Sequence, residues 1–302
     1  MSDTPLVDGT LVRRLLASQL PAELAELAGA RVVLLGQGWD NVMFGLGDSH
    51  VVRLPTSRLA ARLIEHEIAW VATAAAPLAE LGVAVPIPVF CGEPSAVFPM
   101  RWTIVPWIRG TDLSTVPVAD RREIAGPLAR ALAALHRPAP REAPHNPYRG
   151  VPLVERAAPV ADRWPAVLRY LGAADTATLR DHWERARQAP VWPGRLLWIH
   201  GDTHARNVIQ RDGRLVGLID FGDVSAGDPA VDLATGRLSF DAEGFDVFRR
   251  AAEEAGTYDA AIWDRAAGWA VVILTALIAD PVNRRNFSGM VEDARASFLA
   301  GD

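Results

Sequence analysis

The sequence contains no lysine: all 31 basic residues are arginine. That excludes Schiff-base chemistry and any mechanism built on an amine nucleophile. A single cysteine, Cys91, excludes an intrachain disulfide and a thiolate metal cluster, and reads as a small buried apolar residue. No run of about 18 apolar residues free of charge is present, and the opening MSDTPLVDGTLVRR lacks the basic-then-apolar order of a secretory signal. A soluble, cytoplasmic protein with no membrane partner is therefore expected. The formal charge of −5 leaves no basic excess for nucleic acid, so small-molecule chemistry is favoured. What is present is ample apolar material: 302 residues at 50% hydrophobic content fit two lobes more comfortably than one.

The first third reads as sheet with one helix inserted. RVVLL (31–35), NVMFGL (41–46) and HVVRLP (50–55) are short and β-branched, and the last two flank a Gly47-Asp48-Ser49 turn. From Ser57 to Leu78 the apolar residues Leu59, Leu63, Ile64, Ile68 and Val71 take helical spacing, with Ser57 as cap. VPIPVF (85–90) and RWTIVPW (101–107) read as two further strands, the first an edge because of its prolines. Beyond a hinge at 106–110 the chain turns helical. Leu128, Leu132 and Leu135 line a segment ending at His136, before a Pro-rich loop over 138–152. Helices follow around 153–171 and 175–188, and again at 229–238, 242–255, 259–280 and 287–300. The 259–280 helix, apolar on nearly every side, reads as the core of the second lobe.

Between these helices lies WIHGDTHARNVIQRDGRLVGLIDFGD (198–223). LLWI, VIQ and LVGLI are short apolar runs, and Asp212-Gly213 is a hairpin turn signal. A turn centred there sets Asn207 roughly opposite Leu218, with Asp220 displaced by two positions on the partner strand. Both oxygens then reach one end of the ribbon and can share a cation, and Mg2+ suits a site with one or two protein oxygens. Asp202, in the loop just before, can face a bound hydroxyl. Metal to neutralise phosphates and a carboxylate to orient a hydroxyl are the requirements of phosphoryl transfer. Taken singly, each of these Asp and Asn residues is also an ordinary turn residue.

HGDTHARN (200–207), IDFGD (219–223) and AGDPAVDLA (226–234) resemble the signatures of the aminoglycoside phosphotransferase family, whose kinase-like fold also serves macrolide phosphotransferases and choline kinases. The resemblance implies an α+β, bilobal protein-kinase-like fold: an antiparallel sheet lobe over 1–106 that binds nucleotide, and a larger, mostly helical catalytic and substrate lobe over 107–302. It implies transfer of the γ-phosphate of ATP or GTP to a hydroxyl of a small molecule, with Mg2+ as cofactor; the leading acceptor is an antibiotic of aminoglycoside, macrolide or nucleoside type. Asp202 would be the catalytic base, and Asn207 and Asp220 the metal ligands. Gly36 and Gly38 would cover the nucleotide, followed by a bulky Trp39-Asp40-Asn41. Arg53 and Glu67 would stand for the usual Lys–Glu pair, with Glu65 a competing partner for an arginine that departs from the pattern. Val105 and Trp107 would offer backbone hydrogen bonds to the base.

Asp228 before Pro229 reads as a helix cap, and Asp232 as a first-turn acid; the resemblance makes both a buttress of the catalytic loop. His204 and Asp223 stay open between structural and substrate roles. The acceptor is expected between the 138–152 loop and the C-terminal helices. Asp241, Glu243, Asp246, Glu253, Glu254 and Asp259 are candidate carboxylates for a polycation, or equally a solvated helix face. Trp164, Trp183, Trp263 and Trp269 suit a bulkier macrolide, or simply core. A metabolic kinase acting on an amino alcohol or sugar, and a nucleotide-binding pseudokinase, are the competing readings.

Overall fold

The structure, a computed structural model, describes residues 7–38 and 40–298. The expectation for Trp39 and the last two residues of the 287–300 helix lie outside the described residues. The chain forms two compact units: Met1–Thr73 with Ala84–Arg109, and Ala74–Val83 with Gly110–Asp302. The division thus falls at 109/110, three residues beyond the expected 106, and residues 74–83 group with the second unit.

In the first unit, helix α1 (Gly9–Gln19) and the short α2 (Ala25–Ala28) precede a sheet of β1 (Val32–Gln37), β2 (Asn41–Leu46), β3 (His50–Pro55), β4 (Phe90–Gly92) and β5 (Trp102–Pro106). The order is β1-β2-β3-β5-β4 and every pairing is antiparallel. Alternation puts Val42, Phe44 and Leu46 of β2, and Val52 and Leu54 of β3, into one core with Leu11, Val12, Leu15 and Leu16 of α1. Helix α1 was missed because its charged flanks mask a short apolar stripe; its signal was Asp8, whose carboxylate caps Leu11 N at 2.8 Å. The expected strand over 85–90 is confined to its end. Pro86 and Pro88 have no N–H to give a ladder, so β4 starts only at Phe90, at the sheet edge. Helix α3 (Arg58–Ala74) starts where Ser57 Oγ accepts from Ala60 N at 3.1 Å.

The second unit contains β6 (Thr111–Asp112), α4 (Arg122–Leu135), α5 (Ala157–Leu171), α6 (Ala173–Gln188), β7 (Leu197–Ile199), β8 (Val208–Arg211), β9 (Arg214–Leu218), β10 (Ser225–Gly227), α7 (Ala230–Leu233) and α8 (Thr235–Ser239). It closes with α9 (Ala242–Ala255), α10 (Ile262–Ala279), α11 (Pro281–Asn286) and α12 (Ser288–Phe298). Helix α10 is buried along most of its length and packs against α5, α6 and α7. Among the described residues it alone is long and apolar enough to cross a membrane, and 67% of its apolar window is buried inside the protein. The strands form two small sheets, β6-β8-β9 and β10-β7. The 138–152 loop is laced to them: Trp198 N donates to Arg137 O, Ala139 N to Leu196 O, Ala226 N to Pro144 O and Asp228 N to Gly150 O, all at 2.9–3.0 Å.

Candidate active site

The β8–β9 ribbon turns at Asp212 (φ 53°) and Gly213 (φ 73°), the left-handed pair that such a hairpin requires. Its register differs from the expected one. Val208, not Asn207, pairs with Leu218, because a bulge leaves Val216 unpaired where Ile209 faces Gly217 and Gln210 faces Leu215. Asn207 therefore sits beside Ile219, whose N–H donates to its carbonyl at 3.0 Å. Asp220 is one position past Asn207 along the ribbon, not two. It takes a left-handed backbone (φ 66°), costly for a residue with a Cβ, and its exposed carboxylate has no partner among the described residues.

The loop leading into the ribbon is built on Asp232. This fully buried carboxylate accepts from His200 N at 2.7 Å, Gly201 N at 2.8 Å and Thr203 Oγ1 at 3.2 Å, and meets His136 Nε2 at 3.1 Å. Burial raises its pKa, but the His136 hydrogen bond and the His136 and His200 rings outweigh that and hold it low. His136 Nδ1 meets Tyr258 Oη at 2.8 Å, and burial beside Asp232 pushes the Tyr258 phenol up. His200 ties the loop to the ribbon: its Nδ1 accepts from Asp202 N at 3.3 Å, so its Nε2 donates to Ile219 O at 3.0 Å. Gly201 (φ 84°) runs so close to Asp223 that an added Cβ would lie 2.6 Å from the Asp223 carbonyl oxygen.

On this scaffold Asp202 and Asn207 come together: Asn207 Nδ2 donates to Asp202 O at 2.9 Å, which leaves the Asn207 amide oxygen for another partner. The Asp202 carboxylate meets Arg149 Nη2 at 2.8 Å and His204 Nε2 at 3.5 Å. Burial pushes the Asp202 carboxyl up, but Arg149 first and then His204 and His200 hold it well below the usual carboxylate range. His204 Nδ1 accepts from Arg206 N at 3.2 Å, so this ring is held by its own loop. Arg149 also lies 3.6 Å from Asp223, and Asp223 accepts from Asn146 Nδ2 at 2.8 Å.

In the first unit Arg53 Nη1 donates to both oxygens of Glu67, at 2.7 and 2.8 Å, with Glu67 only 2% exposed. Gly36 (φ 155°) sits at a bulge of β1, and a Cβ there would meet nothing within 4 Å. Gly38 N closes a turn onto Asn41 O at 2.8 Å. Val105 is buried opposite Val51. The Trp107 N–H is already given to Ser49 O at 2.8 Å, extending the β3–β5 ladder, so that donor is not open to a base.

The profile of the phosphotransferase enzyme family (APH) matches residues 31–269. The chain belongs to that family. No curated protein matches this phosphotransferase significantly. Among solved structures it resembles APH(2″)-IIIa in complex with GDP and kanamycin, with a TM-score of 0.67, 17% identity and 94% of each chain covered. It also resembles the macrolide 2′-phosphotransferase MphH of Brachybacterium faecium, as apoenzyme, with a TM-score of 0.57, 20% identity, 93% of this chain and 97% of that one. A macrolide 2′-phosphotransferase type I aligns over all of both chains at 18% identity and a TM-score of 0.56. The fold is thus the kinase-like one of these enzymes, and the family membership makes the protein a phosphotransferase with an alcohol group as acceptor.

The acids offered by the sequence for a polycationic acceptor are mostly spent in this phosphotransferase. Asp241 and Glu243 both pair with Arg122, Glu253 with Arg249 and the Trp263 indole, and Asp259 with Arg265. Arg265 also binds Asp228 at 2.6 Å, so Asp228, besides accepting from Ala230 N, anchors α10. Trp183 and Trp269 are core. The residues that sequence reasoning missed are Arg149, Asn146 and His136. Arg149 carries no local signal: it lies in an irregular loop and acquires meaning only through Asp202 and Asp223, more than fifty residues away.

Proposed function

We propose that this phosphotransferase moves the γ-phosphate of ATP or GTP to a hydroxyl of a small molecule, with Asp202 as the catalytic base and Asn207 and Asp220 as ligands of Mg2+. The observation that carries the reading is that, where the β8–β9 ribbon ends, Asn207 is tied both to the Asp202 carbonyl and to Ile219, the residue before Asp220, on a loop fixed by Asp232. An unpartnered carboxylate and a free amide oxygen are the hard donors that Mg2+ takes when phosphates and water complete its shell. Bound there, Mg2+ would neutralise phosphate charge. Asp202, held ionised by Arg149, His204 and His200, accepts the proton of the attacking hydroxyl as its oxygen bonds to the γ-phosphorus and the bridging P–O bond to the nucleoside diphosphate breaks. A carboxylate of such low basicity orients the hydroxyl first and takes its proton late, which a loose phosphoryl transition state tolerates. In the first unit, Arg53 fixed by Glu67 would face the α and β phosphates, Gly36 and Gly38 would cover the nucleotide, and Val105 would line the base.

An antibiotic acceptor, inactivated in the cytoplasm to give resistance, is the first candidate because the related structures include kanamycin, gentamicin and streptomycin complexes and macrolide enzymes. Four of the six acids available for a polycation are ion-paired, so aminoglycosides are the least favoured of these acceptors. A sugar-like metabolite is the second reading, favoured by the same observation.

The test is incubation with Mg2+, ATP or GTP and a panel of antibiotics and metabolites, followed by mass spectrometry for a gain of one phosphoryl group. Asp202→Asn is expected to abolish the gain; wild-type turnover by that variant would remove Asp202 as base. Hits confined to metabolites would defeat the antibiotic reading.

A further inference from the structure

Next to Asp202 the second unit has a cavity of about 290 Å³, lined by Tyr148, Arg149, Arg156, Arg163 and Asp223, with Val272 and Ile273 of α10 as its apolar wall. Three guanidiniums face one carboxylate there. Arg149 is committed to Asp202 and Asp223. The other two have only the more distant charges of their chain neighbours Glu155 and Asp162: neither Arg156 nor Arg163 forms an ion pair among the described residues. Arg156 Nε is buried with no hydrogen-bond partner, and its guanidinium lies 5.7 Å over the Tyr148 ring. Arg163 gives one N–H to Val272 O at 3.3 Å. The two lie seven residues apart, so the helical run into α5 carries them on one face. Burial and the Arg149 charge lower Arg156, and burial and the Arg156 charge lower Arg163, as expected of like charges crowded together. Such crowding is unfavourable unless an anion answers it, and planar guanidinium forks match carboxylate and phosphate oxygens.

We infer that the acceptor of this phosphotransferase carries an anionic group, a carboxylate or a phosphate, which seats on Arg156 and Arg163 while its hydroxyl faces Asp202. The inference rests on the proposed role of Asp202 for the hydroxyl, but not for the anion. Arg149 bridges the two: it lines the cavity and holds the Asp202 carboxylate, so an acceptor anchored on its neighbours sets its hydroxyl beside the base. An ammonium in this cavity would meet guanidiniums, so polycations and amino alcohols are excluded acceptors.

The test uses the full chain and one sugar scaffold in four charge states: gluconate, glucose 6-phosphate, glucose and glucosamine, titrated calorimetrically without nucleotide. The anionic members are expected to bind at least about tenfold more tightly than glucose, the effect of one charge-assisted hydrogen bond, and glucosamine more weakly than glucose. Preference for gluconate alone identifies a carboxylate acceptor, and for glucose 6-phosphate alone a phosphorylated one. The double variant Arg156→Gln, Arg163→Gln is expected to erase the difference, and Arg156→Lys with Arg163→Lys to keep part of it. Failure of both anions to bind, tighter binding of glucosamine, or an unchanged preference in the double Gln variant would overturn the inference. Because binding is read without turnover, failure of Asp202→Asn to lose activity would strike the proposed mechanism and leave the anion site standing.

Discussion

The Arg53–Glu67 pair of the first unit and the Arg149–Asp202 pair of the second both close at 2.7–2.8 Å, and they differ in everything but that distance. Arg53 projects from a strand and Glu67 from a helix, both are largely buried, and one Arg53 nitrogen spans both Glu67 oxygens. Arg149 and Asp202 both come from loops, keep 25% and 29% of their side chains exposed, and each has a second partner, Asp223 for Arg149 and His204 for Asp202. The first pair is locked by regular structure and poor access to water; the second stays within reach of solvent and of an incoming ligand. Identical chemistry therefore serves rigidity in one unit and exchange in the other, with desolvation and backbone order deciding which.

Four substitutions would break or sharpen this contrast. Glu67→Ala leaves a buried guanidinium uncompensated and is expected to cost about 3–5 kcal/mol in urea unfolding; a cost below about 1 kcal/mol would erase the distinction. Asp232→Ala, which strands His200 N and Gly201 N, belongs to the same class, at about 3 kcal/mol or more by the same measurement. Arg53→Lys keeps the charge and loses the fork, for about 1 kcal/mol and a modest change in the nucleotide KM. Arg149→Gln is expected to cost less than about 1 kcal/mol, its main effect being on pH dependence.

The sign of that effect follows from Asp202. Its folded pKa is depressed, so its contribution to stability is complete above the unfolded value, about 3.9, and is lost as pH falls through the folded pKa. Removing Arg149 raises the folded pKa towards the ordinary value. The acid limb of the rate profile and the onset of acid unfolding should both move to higher pH in Arg149→Gln, and an unmoved acid limb would show that Arg149 does not govern the base.

How far the sequence disclosed this depended on range. The ribbon was legible because Asp212-Gly213 fixes a hairpin locally, and α3 because Ser57 and an apolar stripe act within a few residues. The bulge at Val216 was not, since nothing in LVGLI marks which residue drops out of the ladder. Pro86 and Pro88 signalled an edge but not that pairing would wait for Phe90. Asp232 was legible as a first-turn acid, whereas its role in fixing His200 and Gly201 is tertiary. Trp107 shows the opposite failure: the position was legible, but its N–H is consumed by Ser49, fifty-eight places earlier in its own lobe. Arg149, Arg156 and Arg163 lie in unremarkable surroundings, and only folding gathers their charges.

The unpaired Val216 acts as a spacer in a pair of calipers. Drawn into the ladder opposite Ile209, it would let the two arms of the hairpin zip in step from Gly213 onward, keeping the turn but withdrawing the Asp220 tip from Asn207 by one strand step, about 3.3 Å. A jaw gap tuned to a small ion would open by more than that ion's bond length, so the one residue left out of the ladder sets the gap.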